Sequence, residues 1–340
     1  MTSTFLAIDG GNSKTDVVVG TADGRVLAFL RGPGSNPHDL GLDNAVALLD
    51  RLVTAARTAA GLSSLDRAGV YLAGADLPVE VENLTKAVAQ LGWAGEQLVD
   101  NDTFALLRAG TDRPDAVAVV CGAGINCVGR TSDGRTARFP SLGPISGDWG
   151  GGNDLARFAL WHAVRGEDGR GPATALTSAV AAHFGLSTVE AVSTGLHLGE
   201  LPADRIFELS AVLFAVADTG DPVARRVVDR QAKEIVSLAT VAADRLGLLG
   251  AAYAVVLGGG VLRARHPLLD DAIRDGLRAR SPYAEITVVE QPPVVGAALL
   301  TLDALGAPPP AAARLRAELA DRVPSGAADE RRGNRIADPG

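Results

Sequence analysis

Short glycine turns occur at three places in this 340-residue chain, and the first two carry acidic, amide or hydroxyl side chains. The first follows the apolar run 5–8 and reads Asp9-Gly10-Gly11-Asn12-Ser13-Lys14-Thr15. The backbone N–H groups of a glycine turn can form a concave anion site, which hydroxyl and ammonium groups strengthen. We therefore expect this turn to hold the phosphates of a nucleotide, although an ordinary polar hairpin turn explains the same residues equally well.

The other two glycine turns follow apolar runs at 116–120 and 254–257. They read Gly122-Ala123-Gly124-Ile125-Asn126 and Gly258-Gly259-Gly260. No turn has the Walker spacing, and Cys127 stands where a dinucleotide fingerprint needs its third glycine. A single glycine pair is structural more often than not, but one such turn between antiparallel strands in each half is more specific. We expect the first two turns to grip a triphosphate and the third to take the nucleoside.

Composition and charge limit the function classes. The formal net charge is −8 and no sustained basic face offsets it, which argues against a nucleic-acid or anionic-membrane partner. Two cysteines, Cys121 and Cys127, exclude a multi-disulfide scaffold and a four-cysteine metal site within one chain. No secretory leader opens the sequence and no apolar run reaches about 18 residues, so we expect a cytoplasmic protein without a membrane partner.

Hydrophobic periodicity predicts the elements that position these turns. The first half has the order of three antiparallel strands, then helix, strand, helix, strand and helix, over 5–8, 17–19, 26–29, 44–60, 70–73, 80–91, 97–99 and 103–109. Its last two strands end at Gly74-Ala75-Asp76 and at Asp100-Asn101-Asp102. Acidic side chains therefore follow buried strands at several points of this half.

The same order begins again near residue 116. Strand, glycine turn, strand, a Thr-x-Asp-Gly-Arg turn and a further strand occur in both halves, with that turn at 21–25 and 131–135. The offset of roughly 110 residues exceeds solenoid periods, so we expect two duplicated halves. A mainly helical stretch follows over 172–248. Residues 307–340 lack core periodicity and predict a flexible tail with one short helix around 312–323.

These motifs, with Asn101-Asp102 and Gly147-Asp148, occur in the order found in sugar kinases and ATPases of the actin/hexokinase/heat-shock superfamily. The chain most resembles the N-acetylglucosamine kinase branch grouped with the BadF-type ATPases, over residues 4–306. The resemblance implies an α/β, two-lobed, duplicated ribonuclease H-like fold with an ATP cleft between the lobes. The implied lobes are 1–114 with a returning helix at 293–306, and 115–292 with a helical insertion, leaving 307–340 as the tail.

The resemblance also implies roles for matching residues. Asp102 would be the general base for the attacking sugar hydroxyl, Asp9 would hold Mg²⁺ through water, and ATP would be the second cofactor. Gly258 and Gly259 would sit against the adenosine. The implied phosphate contacts are Gly10, Gly11, Asn12, Ser13, Lys14, Thr15, Gly122, Ala123, Gly124 and Asn126. The implied sugar contacts are Ser35, Asn36, Asn101, Asp102, Gly147 and Asp148. A homodimer is implied as well.

Three of these residues have simpler interpretations. Asp102 precedes a predicted helix, where a capping or first-turn acid is favoured by the helix dipole. Asn36 stands in an Asn-Pro turn. Asp148 resembles an ordinary loop acid, and Asp154 is the better candidate for a helix cap.

The chain departs from the family pattern at three points. Asn12 replaces the third glycine of the first loop, and we expect the turn to survive because Asn tolerates positive φ better than most residues. The second loop lacks two hydroxyls that often flank its glycines, leaving backbone amides as donors. Trp149 stands where the family usually places Glu, so the substrate can differ from N-acetylglucosamine.

The expected function is transfer of the ATP γ-phosphate to a hydroxyl of an amino sugar, first of all the 6-hydroxyl of N-acetylglucosamine. Glucosamine or another hexose is an alternative acceptor. A non-catalytic sugar sensor and an ATPase that drives a partner are alternatives from other classes. Dehydratase-activating ATPases bridge subunits with an iron–sulfur cluster, but the two cysteines here flank the second glycine turn, which argues against that activity.

Overall fold

The computed structural model describes residues 2–324. Within this range the chain forms two compact units. Unit 1 comprises residues 2–113 and 289–324, and unit 2 comprises Pro114–Val288.

The elements of unit 1 begin with β1 (Thr4–Gly10), β2 (Lys14–Thr21), β3 (Val26–Pro33), α1 (Pro37–Leu40), α2 (Leu42–Ala60), β4 (Leu65–Leu72), α3 (Pro78–Ala89), β5 (Ala94–Asn101) and α4 (Asp102–Gly110). Unit 2 contains β6 (Ala116–Cys121), β7 (Ile125–Arg130), β8 (Thr136–Arg138), α5 (Gly152–Glu167), α6 (Leu176–Phe184), α7 (Val189–Leu198), α8 (Leu209–Asp218), α9 (Pro222–Arg245), β9 (Tyr253–Gly258), α10 (Gly260–Arg263), α11 (Pro267–Arg280) and β10 (Ala284–Val288). The chain then returns to unit 1 with α12 (Pro293–Ala304) and α13 (Pro309–Ala320).

The sheet of unit 1 has the strand order β3-β2-β1-β4-β5. The first three strands are antiparallel, and β1, β4 and β5 are parallel to one another. Nearly continuous burial of β1 and β2 reflects a sheet covered on both faces. Helices α2 and α3 pack on one face, and α4, α12 and α13 pack on the other. The carboxyl ends of the three parallel strands therefore meet at one edge.

The sheet of unit 2 repeats this topology, with the order β10-β9-β6-β7-β8. Strands β6, β7 and β8 are antiparallel, while β6, β9 and β10 are parallel. Helices α5 to α9 and α11 form one continuous core with the strands. The predicted duplicated α/β fold is confirmed by this repeated order. The predicted helical stretch over 172–248 consists of four α-helices and a short 3₁₀ turn.

The repeated Thr-x-Asp-Gly-Arg turn has the same geometry in both units. Thr21 N donates to Arg25 O at 3.0 Å, and Thr131 N donates to Arg135 O at the same distance. The glycine has a φ of +86° in the first turn and +87° in the second, a region that disfavours any side chain. The match in sequence therefore marks a match in structure.

The expected flexible tail is wrong for its first part. Residues 309–320 form α13, a few residues earlier than the short helix expected around 312–323, and Leu315 and Leu319 are fully buried. Glu318 accepts a hydrogen bond from Val26 N at 2.7 Å, and Arg314 lies 3.0 Å from Asp23. Apolar spacing of four residues, which the alanine-rich run obscures, attaches this helix to the edge of the sheet. Residues 325–340 lie outside the described range.

Candidate functional site

Three carboxylates come from the edge of unit 1 where the parallel strands end. Asp9 is the second-to-last residue of β1. Asp76 follows β4, and Asp102 is the first residue after β5. In open α/β sheets, ligands bind outside the carboxyl ends of the strands. We call this group the acid edge: Asp9, Asp76 and Asp102.

The cap of α4 is Asn101 and not Asp102. Asn101 Oδ1 accepts from Thr103 N at 2.9 Å, and its Nδ2 donates to Asp76 Oδ1 at 2.9 Å. The Asp102 carboxylate receives a long 3.4 Å contact from Thr103 Oγ1 in that turn. Asp102 is therefore not the cap, but it is an acid in the first turn of α4, as the simpler interpretation also allowed. Asn101 is 3% exposed and both ends of its amide are engaged, so within this turn it acts as a positioning residue, and its sugar contact stays a prediction.

Burial and mutual repulsion raise the proton affinity of the acid edge. Burial raises the pKa of Asp102 to about 7, and the negative charges of Asp9 and Asp76 add to the effect. Burial also raises the pKa of Asp9 to about 6, against the opposing attraction of Lys14. A carboxyl with a pKa near 7 is suited to exchange a proton at neutral pH.

The first glycine turn joins β1 to β2 beside the acid edge. Gly11 N donates to Lys14 O at 2.9 Å, which closes the turn. Lys14 Nζ lies 2.5 Å from Asp16 Oδ2 and 3.8 Å from Asp9 Oδ2, and 36% of its side chain is exposed. Asn12 and Ser13 are exposed. The turn thus offers an ammonium group and exposed polar side chains next to Asp9.

The hydroxyls of Thr15 and Ser35, which were expected to contact ligands, face the protein interior. Thr15 is fully buried, and its Oγ1 lies 2.8 Å from Pro33 O and 2.8 Å from Ser35 Oγ, within hydrogen-bond distance of both. Ser35 is also fully buried. Both hydroxyls tie β2 to the loop after β3. The phosphate contact of Thr15 and the sugar contact of Ser35 stay predictions, and the hydroxyls themselves are engaged inside the protein. Residue types alone do not reveal which way they face.

The first turn needs glycine for space and not for φ. A Cβ on Gly10 would lie 2.4 Å from Ser35 Oγ. Gly10, Gly11 and Asn12 have no positive φ. The expectation that Asn12 survives by tolerating positive φ is therefore wrong in its reason, since an ordinary backbone conformation accepts Asn there.

The glycine turns of unit 2 converge on one another. Gly152 N donates to Gly122 O at 2.7 Å, and Asn153 N donates to Ala123 O at 3.0 Å. A Cβ on Gly259, whose φ is +91°, would lie 2.3 Å from Cys121 O. A Cβ on Gly122 or Gly124 would meet nothing within 4 Å. Glycine is thus required where the loops touch, while the turn after β6 keeps an open side for a ligand.

The loop 147–154 carries the remaining expected sugar contacts. Gly147 has a φ of +82°, and Asp148 accepts a hydrogen bond from Ser146 Oγ. Asp154 accepts from Gly150 N at 3.0 Å but lies in the first turn of α5, whose N-cap is Gly151. Asn126, at the start of β7, accepts from Cys127 N and Ser141 Oγ.

Trp149 packs between two helices of unit 2. Arg230 on α9 places its Cζ 4.1 Å from the Trp149 ring, and Phe158 on α5 lies 5.3 Å away in an edge-to-face arrangement. Half of the Arg230 side chain is exposed. The stacking adds a cation next to the loop of Asp148.

Sequence reasoning missed two positioning residues. Asp76 was visible only as the end of a strand, and its contact with Asn101 could not be read from spacing. Gln231 is fully buried, and its Oε1 accepts from Gly151 N at 2.9 Å, which holds the glycine loop in place. A glutamine in a helix of mixed composition gives no sequence signal for that role.

The acid edge fits Mg²⁺ in its donor chemistry. Hard oxygen ligands suit this ion, which in nucleotide sites uses one or two carboxylates together with waters and phosphates. Asp9 supplies such an oxygen in a region whose negative charge is only partly balanced by Lys14. Within residues 2–324, no group of three or more His, Cys, Asp or Glu side chains encloses a metal by itself.

Both thiols of unit 2 are inaccessible. Cys121 and Cys127 are free and fully buried, and burial raises the pKa of Cys121 to about 12. Such thiols are poor ligands for a cluster shared between subunits. In the described part of the chain, no helix is both long and apolar enough to cross a bilayer.

Comparison with known proteins agrees with the motif order. Residues 6–301 match the BadF/BadG/BcrA/BcrD ATPase family. The chain belongs to this family. The resemblance to BadF-type ATPases drawn from the motifs is thereby confirmed.

Two curated proteins are similar to this chain over almost the whole of their own length. An N-acetylmuramic acid/N-acetylglucosamine kinase of Clostridium acetobutylicum is 26% identical over 298 residues, covering 87% of this chain and 97% of the relative. An N-acetyl-D-glucosamine kinase of Dictyostelium discoideum is 27% identical over 321 residues, covering 88% and 98%.

Solved structures share the fold. A Chromobacterium violaceum protein provisionally described as an N-acetylglucosamine kinase has a TM-score of 0.66 and 22% identity, covering 88% of this chain and 99% of that one. A ROK family glucokinase of Streptomyces griseus, solved with glucose and AMPPNP, has a TM-score of 0.54 and 19% identity over 88% of this chain and 100% of that one. The actin/hexokinase-type fold expected from the motifs is confirmed.

Proposed function

We propose that this protein is an ATP-dependent kinase that transfers the γ-phosphate of ATP to a hydroxyl of an amino sugar. The observation that carries the proposal is the acid edge: the half-buried carboxyl of Asp102, next to the helix cap Asn101, lies at the strand ends beside a glycine turn. Family membership and the names of both curated relatives support the same activity.

Asp102 acts as the general base in this proposal. Its carboxylate accepts the proton of the attacking hydroxyl while the hydroxyl oxygen bonds to the γ-phosphorus and the bond to the ADP oxygen breaks. Phosphoryl transfer needs positioning and charge neutralisation more than covalent help from the protein. Bound Mg²⁺, held near Asp9, supplies charge neutralisation of the phosphates. Lys14 and the open backbone of Gly122–Gly124 are the proposed phosphate donors, with Gly258 and Gly259 against the adenosine.

N-acetylglucosamine, phosphorylated at its 6-hydroxyl, is the first proposed acceptor. Asn36 and Asp148 are its proposed ligands, together with Gly147. Trp149, which follows Asp148 in the chain and stacks on Arg230, is the proposed determinant of the acceptor preference. Glucosamine or another hexose is the alternative acceptor.

Further parts of the proposal concern the whole molecule. We propose that residues 1–114 with 293–306 and residues 115–292 act as the two lobes of a nucleotide-binding protein, which forms a homodimer in the cytoplasm. Light scattering of the purified chain measures the oligomeric state directly. A stable monomer at enzyme concentrations would remove the homodimer from the proposal without affecting the kinase activity.

A screen of acceptors tests the activity. The chain is incubated with ATP and Mg²⁺, and ADP release is measured with N-acetylglucosamine, glucosamine, N-acetylmuramic acid, glucose and no sugar. We expect release to depend on sugar and to be greatest with an N-acetylated amino sugar. Tight sugar binding without ADP release would favour a sensor, and release that no sugar stimulates would favour a partner-driving ATPase.

A further inference from the structure

Two loops of unit 1 are fastened together at the first glycine turn. Ser35 N donates to Gly11 O at 3.0 Å, and the buried Thr15 hydroxyl donates to Ser35 Oγ at 2.8 Å. At the exposed end, Asn36 Nδ2 donates to Asn12 Oδ1 at 2.8 Å. The turn 11–14 and the loop 33–36 therefore share hydrogen bonds from the core to the surface.

Close backbone approach makes this junction stiff. A Cβ on Gly34 would lie 1.9 Å from Asn12 O, so the backbones of the two loops touch with no side chain between them. A Cβ on Gly74 would lie 2.4 Å from Asn36 Oδ1, which places the loop after β4 against the same amide. A shift of the turn at Asn12 is therefore transmitted to the Asn36 amide.

The amide of Asn36 is held in one orientation by two hydrogen bonds, and it can form further hydrogen bonds. Its Oδ1 accepts from His38 N at 2.9 Å as the N-cap of α1, so its Nδ2 is the group that faces Asn12. A primary amide has two N–H donors and two acceptor lone pairs. One donor and one lone pair remain, which match a sugar hydroxyl pair that both donates and accepts.

We propose that Asn12 is a positioning residue that couples nucleotide binding at the first glycine turn to sugar binding at Asn36. This rests on the proposed function of the two loops. Phosphates that order the turn fix Asn12 Oδ1, which then holds the Asn36 amide ready for the sugar. Because coupling between two sites is reciprocal, sugar must tighten nucleotide by the same factor.

Calorimetry on the full chain measures this coupling. The dissociation constant of N-acetylglucosamine, or of the best acceptor in the screen, is determined with and without the non-hydrolysable analogue AMPPNP and Mg²⁺. We expect the analogue to tighten sugar binding by about fivefold or more in the native chain. In Asn12→Ala the ratio should fall to near one, whatever the affinity of the variant for AMPPNP alone.

Two further variants separate coupling from structure. Asn36→Asp keeps the acceptor for His38 N but loses the donor to Asn12, so it should lower the ratio as Asn12→Ala does, and the double variant should lower it no further. The matched control is Asn44→Ala, which removes another exposed amide, one that donates to Leu40 O at 2.9 Å. Its ratio should equal that of the native chain.

The outcomes distinguish this proposal from the kinase proposal. A native ratio near one, an unchanged ratio in Asn12→Ala, or additive losses in the double variant would each overturn the coupling role of Asn12. If those results came with sugar-dependent ADP release, the kinase would stand and only the coupling would fail. Absence of both sugar binding and ADP release in the native chain would overturn both.

Discussion

At the residue scale, the chemistry depends on when Asp102 releases and accepts its proton. Burial sets its pKa near 7, and the charges of Asp9 and Asp76 hold it there. Asp76 is itself fixed by Asn101 Nδ2 at 2.9 Å, so its charge acts from a defined position. A neighbouring carboxylate that is not in contact with the acceptor can therefore set the pH range of the enzyme.

Asp76→Asn should move the acidic limb of the pH profile of kcat/KM to lower pH. The amide keeps an Oδ1 acceptor for Asn101 but removes a like charge, so deprotonated Asp102 becomes less costly and its pKa falls. We expect a shift of about half to one pH unit. Asp43→Asn, which removes an exposed acid at the start of α2, should leave the limb in place. An unmoved limb in Asp76→Asn would show that Asp76 does not act on the base.

Residue types alone predict only part of the acid edge. Asp102 could be selected through the family resemblance, but the competing helix-cap interpretation could be judged only once Asn101 was seen to donate and accept at both ends. The burial of the Thr15 hydroxyl could not be predicted, because alternation along a strand does not say which face a hydroxyl takes when both faces are buried.

At the scale of the element, close contact between the glycine turns shapes unit 2. The turn after β9 touches the end of β6 so tightly that Gly259 has no room for a side chain. Parallel pairing of β6 with β9 brings these two turns to the same sheet edge. The spacing of glycines along the chain suggested each turn separately, but their contact depends on strand pairing that sequence does not display.

Gly259→Ala should disturb the nucleotide half of the site. The added Cβ would lie 2.3 Å from Cys121 O at a φ of +91°, so the turn must shift. We expect a loss of about 1–3 kcal/mol in the free energy of unfolding and a severalfold higher KM for ATP. The matched control is Gly250→Ala, an exposed loop glycine whose Cβ would meet nothing within 4 Å. Chemical denaturation and initial rates measure both, and equal behaviour of the two variants would contradict a tight contact.

At the scale of the whole molecule, duplication organises the chain. The sheets of both units have three antiparallel strands followed by two parallel ones, and the same Thr-x-Asp-Gly-Arg turn recurs in each. That repeat was readable from the sequence because it preserves both element order and turn chemistry. The attachment of α13 was not readable, since its contacts with Val26 and Asp23 span almost 300 residues of chain.

The contribution of Asp9 and Asp102 to the stability of the fold should fall between about pH 4 and pH 7 when nucleotide and metal are absent. Asp9 and Asp102 have pKa values raised to about 6 and about 7, so the folded state keeps protons that the unfolded chain releases near pH 4. Their favourable contribution is complete below the unfolded pKa and is lost as pH rises through the folded pKa. We expect Asp102→Asn to be more stable than the native chain at pH 8 by roughly 1–3 kcal/mol and nearly equal to it at pH 4. Urea denaturation at the two pH values checks this, and a variant that is less stable at pH 8 would contradict the raised pKa.

The central claim is that Asp102 takes the proton of a sugar hydroxyl as phosphate is transferred from ATP. The most direct measurement is the kcat of sugar-dependent ADP release for the native chain and for Asp102→Asn, with the binding of sugar and AMPPNP measured on the same samples. We predict a loss of about 10²–10⁴-fold in kcat with both ligands still bound. Turnover of the variant at the native rate would contradict the claim.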